Sequence, residues 1–123
     1  MVYQNHAYAN NQYINNQIMT ASKKKLLIML YEGAIKNLKL TEKSMESKDI
    51  EKINYYLTKT QSIILELMST LNFELGGDIA KNLYNLYDYM YVKLIQGNID
   101  KDLDSVIEVR NYMEELKNTW IQI

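Results

Sequence analysis

The only histidine, His6, and the absence of cysteine bound the chemistry open to this chain. Without cysteine there is no disulfide, zinc-thiolate site or thiol nucleophile. A di-iron centre in a helical protein needs Glu-x-x-His pairs projecting from two helices. Phosphotransfer through a helical bundle needs a histidine exposed on a helix. His6 sits among Asn and Gln, before the first helical pattern, so it reads as a solvated side chain. No glycine-rich phosphate loop and no Ser-His-Asp set occurs. Asp88 shares a helical face with Tyr84 and Tyr91, at i−4 and i+3. A catalytic role would need a partner acid or base that the sequence does not supply. Asp88 therefore reads as a carboxylate accepting hydrogen bonds at a helix seam. The chain is expected to be no enzyme and to hold no cofactor and no metal.

What stands above the background is apolar surface. Eleven tyrosines and seven methionines occur in 123 residues, residue types that suit adaptable protein contacts. The net charge of −1 argues against nucleic acid, whose binders carry a basic face to neutralise phosphate. Lys23, Lys24 and Lys25 are too short a cluster and read as a solvated helix start. The longest apolar run, Leu26 to Tyr31, is far below the roughly 18 residues of a membrane span, and no signal-peptide pattern opens the sequence. A cytoplasmic location without membrane insertion is expected.

Four helical patterns must position this surface. Proline is absent, which favours long helices. The first runs from about Ser22 to Glu46, with Thr20 or Ser22 as N-cap and an inner stripe Leu27, Leu30, Ala34, Leu38, Thr41 and Met45. The second runs from an Asp49 cap to Thr70, with Ile50, Ile53, Leu57, Thr60, Ile64, Leu67 and Leu71 inward. After a break at Gly76-Gly77, the third runs from Asp78 to Gln96, ended by Gly97-Asn98, with Ile79, Leu83, Leu86, Met90 and Leu94 inward. The fourth starts near Asp100 or Asp102 and carries Val106, Val109, Met113, Leu116, Trp120 and Ile123. Short connections make neighbours antiparallel. The expected fold is all-α: an up-down antiparallel four-helix bundle over 22–123, with or without a short extra helix. Residues 1–21, uncharged and rich in Asn and Gln, read as a mobile arm.

Helices one and three carry a second apolar stripe each, too wide for one seam. Leu26, Ile28, Met29, Tyr31 and Ile35 form the first, and Tyr84, Tyr87, Tyr91 and Ile95 the second. Together they predict a groove for an amphipathic partner helix. A regulatory or self-associating adaptor that binds such a helix is the alternative from composition alone.

Three segments resemble the FliS family of flagellin-specific export chaperones. Thr20-Ala21-Ser22 with Lys25 to Ile35 follows the family pattern T-A-S-P-x-K-L-L-x-M-L-Y-D-G-A. Gly76-Gly77-Asp78-Ile79-Ala80, with Leu83 and then Leu86-Tyr87-Asp88-Tyr89-Met90, follows the third family helix. Val109, Leu116 and Thr119-Trp120 match its end. Lys23 replaces the family's proline and Glu32 its usual aspartate.

The resemblance implies a cytosolic chaperone that binds the disordered C-terminal segment of flagellin. Binding prevents premature polymerisation and aids delivery to the flagellar type III export apparatus, whose components are further expected partners. It also implies that the N-terminal arm covers part of the groove until flagellin displaces it, and in this amide-rich arm Tyr8, Tyr13 and Ile14 read as the apolar anchors. A monomer or weak homodimer is expected.

Overall fold

A computed structural model describes the backbone of residues 12–122 and the side chains of residues 23–122. Among the described residues there are four α-helices: α1 (Gln12–Glu46), α2 (Ile50–Ser69), α3 (Phe73–Asp100) and α4 (Leu103–Gln122). Helix α1 packs on α2 and α4, and α3 packs on the same two. The chain therefore runs up-down-up-down, with α1 and α3 diagonally opposed.

The inner stripes meet where the three-four spacing puts them. Leu38, Ile53, Leu57, Ile64, Leu67, Met90, Leu94, Val106, Val109 and Met113 are all buried to 1% exposure or less. Hydroxyls interrupt this core without leaving polar atoms stranded. Thr41 bonds the Asn37 carbonyl at 2.8 Å, Ser44 that of Leu40 at 2.8 Å and Thr60 that of Tyr56 at 2.9 Å. Each uses a carbonyl one turn back, so a short side chain can be buried satisfied. Ile50, expected inward, is 51% exposed because it lies in the first turn of α2, at the end of the bundle.

Helix ends follow local chemistry. Asp49 caps α2, its carboxylate accepting from the Lys52 amide, and Asn72 caps α3 by accepting from the Leu75 amide. Lys48, at φ 57°, turns the chain between α1 and α2. Three boundaries differ from expectation. Helix α1 begins at Gln12, so Thr20 and Ser22 lie inside it rather than capping it, and the backbone of 12–21 is helical. Lys23 keeps an amide hydrogen that a proline would lack, so nothing stops the helix continuing upstream. Helix α3 opens at Phe73 and kinks at Gly77, whose backbone (φ 52°, ψ −126°) is not helical. Its regular part resumes at Asp78, the expected start. At the other end α3 passes through Gly97 and Asn98 to a left-handed cap at Lys101, whose ammonium bonds the Asn98 carbonyl at 2.7 Å.

Gly97 is thus no cap. It is buried, and a Cβ on it would stand 2.9 Å from the Ser105 Cβ. The missing side chain lets α3 and α4 approach closely just before their turn. An ion network then closes the α1–α4 seam. Arg110 bonds Glu42 through Nε and, at 3.2 Å, through Nη2, and reaches Glu114 at 3.0 Å through Nη1.

Gly97→Ala should destabilise the bundle by about 1–2 kcal/mol, because overpacking outweighs the gain in helix propensity. Ser105→Gly added to it should recover part of the loss. Urea midpoints measure both, and a Gly97→Ala midpoint at or above wild type would refute the close-approach account.

Candidate functional site

The run Leu26 to Tyr31 puts apolar side chains on every side of α1. Two helical neighbours cannot cover them all. Tyr31 is fully buried, and Leu27 and Leu30 pack half-buried against the core. Leu26 and Ile28 are half-buried, and Met29 is 57% exposed. Below this run α2 ends, and its turn leads into the short opening piece of α3. Phe73 and Tyr84 meet edge to face with ring centroids 5.9 Å apart. Gly76 has no room for a side chain, since a Cβ would lie 2.8 Å from that of Ala80. The kink at Gly77 then sets the direction in which the rest of α3 leaves.

These pieces enclose an open groove of about 750 Å³ at the end of the bundle. Leu26 and Leu27 of α1, Leu71 of the α2–α3 turn, and Leu75, Ile79 and Leu83 of α3 form its apolar walls. Leu75 and Ile79 stand 87% and 71% exposed. Tyr87 of α3 and Trp120 of α4 complete its lining, and Lys23, Lys24 and Glu66 are its charged members. Just inside, three polar atoms meet. The Tyr31 and Tyr87 hydroxyls bond each other across the core, and Trp120 Nε1 donates to the Tyr31 hydroxyl at 3.1 Å. Burial pushes the pKa of both tyrosines up, so neither ionises near neutral pH.

Of the side chains expected to form the groove, Leu26 and Tyr87 line it. Tyr31 and Ile35 are closed into the core, as is nearly all of Tyr87. The Tyr31 side chain reaches Tyr87 across the diagonal and forms no part of an open surface. Ile35 also borders a smaller hollow of about 410 Å³ between α1 and α4, flanked by Lys36, Lys39, Lys43 and Lys117. Tyr84 and Ile95 are exposed at 40% and 38% and Tyr91 is half-buried. They lie along α3 outside the groove lining. Tyr8 lies outside the described residues, as do the side chains of Tyr13 and Ile14.

Leu71, Leu75, Ile79, Leu83 and Trp120 were not expected in the groove. Ile79 and Leu83 continue the inner stripe of α3 by spacing, but at this end the stripe runs out past its neighbours. Leu75 had a legible signal: a large apolar residue beside a glycine pair, in a connection, has no core to enter. Asp88 is exposed, and the tyrosine–carboxylate bond at a seam is made by Tyr89 to Glu108 at 2.6 Å. Among the described residues no set of three acidic, histidine or cysteine side chains is placed to hold a metal. No described helix is long and apolar enough to cross a membrane.

The family model for flagellar protein FliS matches residues 4–123. This chain belongs to the FliS family. It is 36% identical over 105 residues to the flagellar secretion chaperone FliS of Bacillus subtilis, covering 85% of this chain and 77% of that one. It is 41% identical over 110 residues to that of Vibrio cholerae, covering 87% and 79%. The Salmonella typhimurium FliS matches at 36% over 107 residues, covering 86% and 79%. Membership of the FliS family is what the resemblance implied, and it gives the end groove a context.

Met29→Asp should leave thermal stability within about 0.5 kcal/mol of wild type, since the side chain is exposed. Leu30→Asp should cost several kcal/mol, because it sets an unpaired charge against the core. Circular dichroism melts decide the order, and the reverse order would invert the faces assigned to α1.

Proposed function

We propose that this protein is a cytoplasmic flagellar secretion chaperone whose end groove receives the disordered C-terminal segment of flagellin as an amphipathic helix. Binding keeps that segment from premature polymerisation and aids its delivery to the flagellar type III export apparatus. The observation that carries the reading is the exposure of Leu75 and Ile79, at 87% and 71%, on the wall of an apolar groove. A soluble bundle does not otherwise gain from holding large aliphatic side chains in water. Relatives across 85% or more of this chain are named flagellar secretion chaperones, which supplies the kind of client. A helix-in-groove mode suits walls supplied by α1 and α3, with leucines and isoleucine spaced to take anchors at i, i+3 or i+4 and i+7.

The reading needs no reacting group. It requires affinity from apolar burial, and release at the export apparatus by competition rather than chemistry. A client that folds as it binds loses conformational freedom, so affinity per unit area is moderate and the heat-capacity change is large.

Titration calorimetry of the purified chain with a flagellin C-terminal peptide should give one-to-one binding with a clearly negative heat-capacity change. Ile79→Asp should weaken binding at least tenfold with the melting curve unchanged. Absence of binding at tens of micromolar peptide, or full affinity in Ile79→Asp, would sink the groove assignment. Light scattering on the same samples separates client binding from self-association through the same face.

A further inference from the structure

The inner stripe of α1 does not stop where the bundle stops; it changes chemistry. Three and four residues before Leu27 stand Lys24 and Lys23, on the helical face that carries Leu30 and Tyr31 inward. Both line the groove, Lys24 half-buried and Lys23 exposed. They lie well inside α1, which begins at Gln12, so neither is a solvated helix start. The sequence offers them no local counter-charge. No Asp or Glu occurs before Glu32, so none lies within one helical turn of either lysine. Glu32 itself pairs with Lys117 at 3.3 Å. Among the described residues neither Lys23 nor Lys24 forms an ion pair, and neither does Glu66, the acidic residue of the groove lining. The groove thus has a cationic side on α1 and an anionic one on α2. A lysine keeps its stem on apolar surface while its ammonium stays mobile, so what matters is where the stems are rooted.

We propose that Lys23 and Lys24 receive a carboxylate of the docked segment, so that the groove selects an anionic group at its α1 side as well as an apolar helix face. A carboxylate entering an apolar cleft alone would lose its hydration without compensation. Two ammonium groups rooted in the wall return that loss as counter-charge and charge-assisted hydrogen bonds. Glu66 repels the same group from the α2 side, which sets the direction in which the segment lies. The carboxylate is either the chain terminus of the client or an Asp or Glu side chain within it. A chain terminus also sits at the negative end of a helix dipole, where a cation is favoured. The pair is particular to this chain: the family pattern has proline at the place of Lys23 and no fixed residue at that of Lys24. The proposal deepens the flagellin-segment reading and rests on it.

The test uses the full chain, a flagellin C-terminal peptide and calorimetry. Lys23→Gln with Lys24→Gln should bind about 3- to 10-fold more weakly at about 0.05 M salt, with the melting curve unchanged because no ion pair is lost. The difference from wild type should shrink at about 0.5 M salt, where charges are screened. Lys23→Arg with Lys24→Arg should keep wild-type affinity. Lys36→Gln with Lys43→Gln, the same charge change on α1 outside the groove lining, should alter affinity less than about twofold. An equal loss in that control would reduce the effect to net charge and overturn the assignment. Peptides with an amidated C-terminus, or with each Asp or Glu singly replaced by its amide, separate the sources. The one whose loss vanishes on the double Gln background carries the carboxylate, and coupling to none of them overturns the proposal. Wild-type affinity in the double Gln variant, with Ile79→Asp weakening binding, overturns the carboxylate reading alone. Full binding by Ile79→Asp overturns the groove reading and this one with it.

Discussion

A helix that is apolar all round has to be covered all round, and between Leu26 and Tyr31 α1 packs on only two other helices. Much of the molecule's shape follows from how that surplus is divided. Tyr31 goes inward and reaches α3 across the diagonal. Leu27 and Leu30 pack toward the shared core, and Met29 is left to solvent. Leu26 stays at the edge, where it helps wall the groove. A bundle of four equal amphipathic helices would have closed its ends with polar turns. Here α1 has 35 residues against 20 each in α2 and α4, so it runs on past partners that have ended. At about 1.5 Å per residue, the difference of 15 residues is more than 20 Å of helix.

The tyrosine pair resolves a second problem created by the same crowding. A tyrosine buried on α1 must place its hydroxyl, and its ring carries that hydroxyl too far out for the carbonyl one turn back that serves a buried serine or threonine. Tyr87 and Trp120 supply the partners from the two other helices at that level, α3 and α4. The result ties together three helices at the end where packing is otherwise thinnest. It also sets this hydrogen-bonded trio beside the open groove, whose lining includes Tyr87 and Trp120.

How legible this was in the sequence depended on what each residue had to satisfy. Helix α2 was readable nearly to its ends, because a single stripe faces a single core and Asp49 is both a good cap and in the right place. The C-terminus of α3 was not, because Gly97 serves interhelical approach rather than a left-handed turn, and glycine in a sequence does not say which. Lys101 takes that turn instead, held by bonds to Asn98 that propensity does not foresee. The width of the stripes that hold Leu26 and Tyr87 was legible, and both residues are among the groove lining. Tyr31 and Ile35 were misplaced because helical spacing gives a face but not the neighbour that covers it. Ile79 erred in the opposite sense: it continues an inner stripe beyond the point where the bundle has an interior.

The kink at Gly77 shapes the same end of the bundle. Gly76 lies against Ala80 too closely for a side chain, and Gly77 holds a backbone angle that side chains rarely adopt. Two adjacent glycines therefore break α3 where its first turn would otherwise run straight on. The break leaves Phe73 to Gly76 as a separate turn carrying Leu75 and, against Tyr84, Phe73. A turn tethered by one cap at Asn72 and one aromatic contact has little buried area to hold it. Segments with so few contacts are the ones that open and readjust first. The wall of the groove that carries the most exposed leucine is thus also the wall best able to shift by small amounts. Its floor, fixed by Tyr31, Tyr87 and Trp120, is the part least able to. The groove thus pairs an adaptable apolar wall with a rigid floor.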